Sequence, residues 1–261
     1  MTTDATPARS SSEKPTTLIT GGSRGIGAAI AERLAAQGHD LVLTYRNRLD
    51  EAEQVAETCR ALGARVTLLQ VDLADLAAAS RVVPDAITAA GGRLTGLVNN
   101  AGITGRIGGF LDAPLEETEH VFALNVFAPI VLTRAAIRHM STAHGGAGGA
   151  IVNISSGAAT SGAAHTYIPY AMSKAALDAL TLGAAREFAA EGVRVNTVSP
   201  GTTFTEIHAD AGRPNAPEER ASRIPFGRAG YPHEIAGAVA YLLSPEASYT
   251  TGASIRVSGG S

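Results

Sequence analysis

The sequence predicts an α/β fold, a single doubly wound parallel sheet of about seven strands with helices on both faces. Seven short apolar, β-branched runs recur along the chain, and alanine-rich stretches with apolar residues at three-and-four spacing separate them. A glycine-rich turn joins the first run directly to the first such stretch. Strands that alternate with helices need crossovers, which are right-handed and leave the strands parallel with both faces covered.

Residues 16–20 form the first strand candidate and run into Thr20-Gly-Gly-Ser-Arg-Gly-Ile-Gly27. A helix is expected over 25–37, a second strand over 41–44, a helix over 50–62 and a third strand over 66–70. The fourth strand, 96–99, leads into Asn99-Asn-Ala-Gly102, and a long helical pattern covers 115–140. Glycine-rich 145–149 reads as a loop before a fifth strand over 150–154. A helix over 170–191, a sixth strand over 193–198 and a seventh over 254–257 complete the series. Within 205–228 the rhythm breaks: Pro214, Pro217 and Pro225 flank only a short helical pattern. An excursion of that length is either a lid over a site or a surface insertion.

With 261 residues, 45% of them hydrophobic and 17% charged, the chain can bury one substantial core, so a single domain is expected over 15–261. Residues 1–14 are Thr, Ser, Ala and Pro with mixed charge and no apolar stretch, which predicts a disordered tail. A net charge of -3 with scattered arginines gives no reason to expect nucleic acid or a membrane as partner, and no run reads as long enough to span a bilayer. The lone Cys59 excludes an internal disulfide, no Cys/His spacing suggests a metal, and a reducing, cytoplasmic setting follows as the expectation.

The turn after the first strand has separate uses for its glycines. Across Gly21, Gly25 and Gly27, the turn needs positive φ, the backbone must approach a pyrophosphate, and the helix must pack tightly on the strand. Amides of the segment Ser23, Arg24, Gly25 and Ile26 would then face phosphates at a helix start. Where an acidic residue would hold a ribose 2′-hydroxyl the chain has Tyr45, followed by Arg46. Arg46, with Arg24 and Arg48, suits a 2′-phosphate, so NADP(H) is favoured, while solvated loop arginines leave NAD(H) open. Asp72 and Leu73, just past the third strand, are placed for the adenine, and Asn99, Ala101 and Gly102 end the fourth strand where ligand-facing turns lie.

Tyr170 and Lys174 stand four apart, which puts both on one face of a helix, and Lys174 is one of only two lysines in the chain. A proton donor tuned by a cation is the chemical reading, because an unperturbed phenol has a pKa of about 10.

Together with Thr20-Gly-x-x-x-Gly-x-Gly27, Asn99-Asn-Ala-Gly102, Asn125, Ile151-Val-Asn-Ile-Ser-Ser156 and Pro200-Gly201, this pair resembles the classical short-chain dehydrogenase/reductase family. The resemblance runs from about Thr16 to the C-terminus. It implies a single Rossmann-type domain, a homotetramer, and hydride transfer between a nicotinamide and a carbonyl or secondary alcohol. It also implies a catalytic tetrad of Asn125, Ser156, Tyr170 and Lys174. Tyr170 would be the general acid or base, Ser156 would orient the substrate oxygen, and Lys174 would lower the phenol's pKa and hold the nicotinamide ribose. Asn125 would hold a relay water, and Pro200, Gly201, Thr203 and Thr205 would meet the carboxamide.

Two features depart from the family. Ser156 lies fourteen residues before Tyr170 where thirteen is usual, with Ser155 as the other candidate, and Pro169 immediately precedes the tyrosine. The substrate would be a small ketone or alcohol, sugar-like or acyl, bounded by 103–110, 158–167 and the 205–228 excursion. His165 and His208 read either as cavity residues or as loop-surface histidines. An NAD(H)-dependent dehydrogenase with the same tetrad, and a dinucleotide-sensing regulator without turnover, are the competing readings.

Overall fold

The computed structural model describes residues 14–261. Its strands are β1 (Thr16–Ile19), β2 (Asp40–Tyr45), β3 (Val66–Gln70), β4 (Gly96–Asn99), β5 (Gly149–Ile154), β6 (Val193–Pro200) and β7 (Ser254–Val257). They form one parallel sheet in the order β3-β2-β1-β4-β5-β6-β7, a Rossmann-type arrangement. Winding reverses between β1 and β4, and ligands bind such sheets in the crevice beyond the carboxyl ends of the strands at that point.

The helices are α1 (Gly25–Ala36), α2 (Leu49–Ala61), α3 (Leu76–Ala89), α4 (Leu115–Phe122) and α5 (Ala128–Met140). They continue with α6 (Ala158–Ser161), α7 (Ile168–Phe188), α8 (Ile207–Asp210), α9 (Ala216–Arg220) and α10 (Pro232–Leu243). Successive strand residues point to opposite faces, and here each face has its own cover. Ile19, Leu41, Leu43, Val98 and Val152 pack with Ile30, Leu34, Val55, Ile235 and Val239 from α1, α2 and α10. Leu18, Val42, Leu97, Ile151 and Val195 pack with Val82, Val83, Leu132, Ile137 and Ala184 from α3, α5 and α7. The near-continuous apolar runs in the sequence follow from burial on both sides.

The single helix expected over 115–140 is present as Leu115–Met140, with a π-helical turn inside it. α4 and α5 are its two arms, joined by the π-helical turn Ala123–Phe127, which holds Asn125 in the interior. The whole run Leu115–Met140 also has the length and mean hydropathy, 1.6, of a bilayer span, contrary to expectation, and 56% of that window is buried inside the protein. Its apolar residues Leu132, Ala136 and Met140 are core residues of the sheet face. The predicted tail lies outside the described residues apart from Lys14, whose Nζ donates to the Gly63 carbonyl at 2.8 Å.

The 205–228 excursion folds as α8 and α9 over the carboxyl ends of the strands. A bridge between Thr203 and Gly230 closes its base, and the Phe226 amide donates to the Gly259 carbonyl at 3.1 Å. Asp210 on α8 meets Arg24 of the glycine turn at 2.5 Å, so the excursion touches both ends of the crevice.

Candidate active site

A cavity of about 1300 Å³ runs from Arg46, past the glycine turn, to the underside of α8 and α9. Gly21 and Gly25 hold φ of 63° and 53°, and a Cβ on Gly27 would lie 2.1 Å from the Gly21 carbonyl oxygen. Only glycine permits that packing. Asn100 fixes the turn from β4: its Nδ2 donates to the carbonyls of Thr20 and Gly21 at 2.9 and 3.0 Å, and its amide donates to Thr20 Oγ1 at 2.9 Å. Arg24 is the N-cap of α1 but supplies no side-chain cap, so the first-turn amides are left for another acceptor. Its Nη1 is buried without a hydrogen-bond partner. The positive-φ glycines, the uncapped amides and this orphaned nitrogen fit the pyrophosphate of a dinucleotide.

The three arginines expected near a 2′-phosphate differ in state. Arg24 is paired with Asp210 and Arg48 with Glu51 at 2.6 Å, whereas Arg46 has no carboxylate partner among the described residues. Ser23, Ile26, Tyr45, Asp72, Leu73, Ala101 and Gly102 line the cavity as expected. Asn99 is the correction: it is buried, its Nδ2 donates to Thr133 Oγ1 and Asn153 Oδ1 at 3.1 and 2.8 Å, and it does not reach the cavity. Its side chain ties β4 to β5, and Asn100 takes the place at the rim.

At the other end, β5 delivers two serines of opposite orientation. The Ser155 hydroxyl is buried and donates to the Lys174 carbonyl at 3.3 Å, with Asp178 as a second partner. Ser156 instead bonds the Tyr170 phenol and accepts from the Ala158 amide at 3.1 Å. Tyr170 and Lys174 project from one face of α7. Lys174 Nζ donates to the Ile154 carbonyl at 2.7 Å and lies 5.6 Å from the Tyr170 ring centre. Pro169 sits in the first turn of α7, where a missing N–H is harmless.

Burial dominates the electrostatics. It pushes the Tyr170 phenol up to about 12, with the Ser156 hydrogen bond acting against it, and pushes the Lys174 ammonium down to about 8, with Asp178 acting against it. The expected lowering of the phenol toward neutrality by Lys174 is therefore outweighed within the protein by desolvation. Asn125 Oδ1 accepts from the Ile103 amide at 3.0 Å, and its Nδ2 donates to the Ile103 carbonyl and Ser173 Oγ at 2.8 and 3.0 Å. Both its N–H groups are engaged beneath the cavity floor, so only an oxygen lone pair remains for a water. A Cβ on Gly102 would stand 3.1 Å from that oxygen and 3.4 Å from Lys174 Nζ, so the glycine keeps the space between them open.

The loop before α7 carries the extra residue between Ser156 and Tyr170. Gly162, Ala163 and His165 there have φ of 71°, 46° and 60°, a tight left-handed coil that shortens the path. His165 is exposed and away from the cavity, whereas His208 is buried in its wall, where burial and then Arg220 push its pKa down.

The sequence from residue 21 to 261 matches the family model described as enoyl-(acyl carrier protein) reductase. The chain belongs to the short-chain dehydrogenase/reductase family. It is 40% identical over 245 residues to the uncharacterized oxidoreductase YgfF of Escherichia coli K12, covering 93% of this chain and 98% of that protein. It is 38% identical to an L-rhamnose 1-dehydrogenase (NAD(P)(+)) of Azotobacter vinelandii, covering 94% of this chain and 95% of the relative. A short-chain dehydrogenase from Burkholderia cenocepacia J2315, solved in complex with NADP, superposes with a TM-score of 0.86 at 37% identity, over 94% of this chain and 97% of the other.

Within this dehydrogenase/reductase frame, Ser156, Tyr170, Lys174, Pro200, Gly201, Thr203 and Thr205 all meet the cavity, and Asn125 stands one layer below. Sequence reasoning missed three neighbours. Tyr167 packs edge-to-face on Tyr170 at 5.2 Å between ring centres, Arg220 Nη1 donates to the Tyr167 hydroxyl at 3.2 Å, and Asp178 lies beneath Lys174. Tyr167 and Asp178 stand one helical turn from Tyr170 and Lys174, and that spacing was the available signal.

Proposed function

We propose that the protein is an NADP(H)-dependent oxidoreductase that interconverts a small carbonyl compound and its secondary alcohol. The observation that carries this reading is the convergence of Ser156, Tyr170 and Lys174 at one end of a cavity whose other end is the glycine turn and the unpaired Arg46. Bound NADP(H) would supply or accept the hydride. Tyr170 delivers the proton to the carbonyl oxygen, or removes it from the alcohol, and Ser156 holds that oxygen beside the phenol. Lys174 places a cation near the phenol and a donor toward the cofactor's ribose. Asn125, through its free lone pair, positions a water between Gly102 and Lys174 that reloads the proton.

The glycine turn, Asp72 and Leu73 would hold the adenylate half, Arg46 the 2′-phosphate, and Pro200 to Thr205 the nicotinamide end. The relative solved with NADP supports the cofactor choice, as does the absence of a carboxylate at Tyr45. A cytoplasmic homotetramer is the expected state.

The decisive experiment follows NADPH oxidation by wild type and Tyr170→Phe across ketones, diketones, keto sugars and acyl thioesters. Wild-type turnover should fall roughly a hundredfold or more in the variant, with NADPH binding retained. Equal turnover by the two proteins would remove Tyr170 from the mechanism.

A further inference from the structure

The arginines of the 205–228 excursion divide into two kinds. Arg213 is neutralised by Glu219, and Arg228 by Glu234 at 2.7 Å, on the outer surface. Arg220 and Arg223 both line the cavity without a carboxylate partner among the described residues, but Arg223 is exposed, whereas Arg220 is half-buried. Its guanidinium lies 5.9 Å from the Tyr167 ring centre and donates to the Tyr167 hydroxyl, while Tyr167 packs against Tyr170. Arg220 thus stands one side chain away from the group proposed to protonate the substrate.

Three of the four carboxylate side chains that line the same cavity are engaged elsewhere, and the fourth, Glu206, lies against Gly25 of the glycine turn on the Arg48 side. Asp210 is held by Arg24, Glu117 by the Arg106 amide, and Asp72 Oδ1 by the Ala74 amide at 3.0 Å. Among the described residues, the partly buried guanidinium beside Tyr167 therefore has only a phenol as its side-chain hydrogen-bond partner. A half-desolvated guanidinium in that state is unfavourable unless an anion completes it.

We infer that the substrate carries an anionic group, carboxylate or phosphoryl, a few bonds from its carbonyl, and that Arg220 is the residue that selects for it. This rests on the dehydrogenase reading given above and narrows its substrate class. In the reaction the carbonyl carbon gains a hydride from NADPH, its oxygen gains the Tyr170 proton, and the anionic group passes through unchanged. Arg220 binds that group and does not take part in proton or hydride transfer.

The test is a set of matched pairs: 2-oxobutanoate and its methyl ester, 3-oxobutanoate and its methyl ester, dihydroxyacetone phosphate and dihydroxyacetone. Wild type should prefer the anionic member of at least one pair by roughly ten- to a hundredfold in kcat/KM, and the pair in question tells carboxylate from phosphoryl. Arg220→Gln should erase the preference by raising KM for the anionic member far more than for the neutral one, Arg220→Lys should restore part of it, and Arg213→Gln should retain it. Calorimetric titration of NADPH-loaded Tyr170→Phe protein, with and without Arg220→Gln, reads the same discrimination without turnover. Equal handling of charged and neutral members, or an Arg220→Gln loss shared equally by both, overturns the inference while leaving the dehydrogenase reading intact. Anion binding lost with Arg220, without turnover of any carbonyl, would support the inference and sink the parent reading.

Discussion

Tyr170 is a phenol that burial holds near 12, beside a lysine that burial holds near 8. For the lysine this places the loss of charge inside an accessible pH range. Its ammonium is present below about pH 8 and lost above it, so kcat/KM for carbonyl reduction should fall as pH rises through that value. Asp178 favours the charged form, since its carboxylate raises the Lys174 pKa. Asp178→Asn should therefore move the falling limb to lower pH without abolishing turnover, and superimposable pH profiles would separate Lys174 ionisation from the rate. None of this was legible in the sequence beyond the four-residue spacing, because burial is a property of the packed helix. The choice between Asn99 and Asn100 was hidden for a related reason. Adjacent residues at a strand end point to opposite sides, and only the register of β4 against β1 and β5 decides which one reaches the rim.

At the scale of elements, the glycine turn was the clearest feature to read, since its glycines stand between a strand run and a helix run. The structure adds why Gly27 tolerates no replacement. A methyl 2.1 Å from the Gly21 carbonyl forces the turn open, so Gly27→Ala should cost about 1–3 kcal/mol of stability and weaken NADPH binding. Urea midpoints and fluorescence titration measure the two effects. Unchanged values would mean that α1 can move off β1 freely. The π-helical turn between α4 and α5 could not be read, because Ala-Leu-Asn-Val-Phe is compatible with a regular α-helix. It coincides with the tertiary bonds of Asn125 to Ile103 and Ser173. The bounds of β3, β4 and β7 agree with the sequence expectation, as short β-branched runs between turns leave little freedom.

For the molecule as a whole, the alternation of elements was enough to predict the sheet and its two covered faces, while the surface was not. Several large apolar side chains lie outside the core, among them Leu115, Phe127, Met172 and Leu182 on or between α4 and α7. Exposed apolar side chains of this size suit association with a second surface. Light scattering should give four times the monomer mass, and charged replacements at Phe127 and Met172 should lower it; a monomeric wild type would remove the tetramer from the reading.

The contact between Arg24 and Asp210 joins residues 186 positions apart. On the NADP(H) reading proposed above, a 2′-phosphate at Arg24 would compete with the carboxylate that the excursion already offers, and the choice between NADP(H) and NAD(H) would be shared between the second strand's end and the roof. Arg46→Ala alone should then weaken NADPH binding only in part, and Asp210→Asn should strengthen it while leaving NADH nearly unaffected, as read by paired titrations. If those titrations come out so, the fastening of the roof sets part of the cofactor preference proposed above.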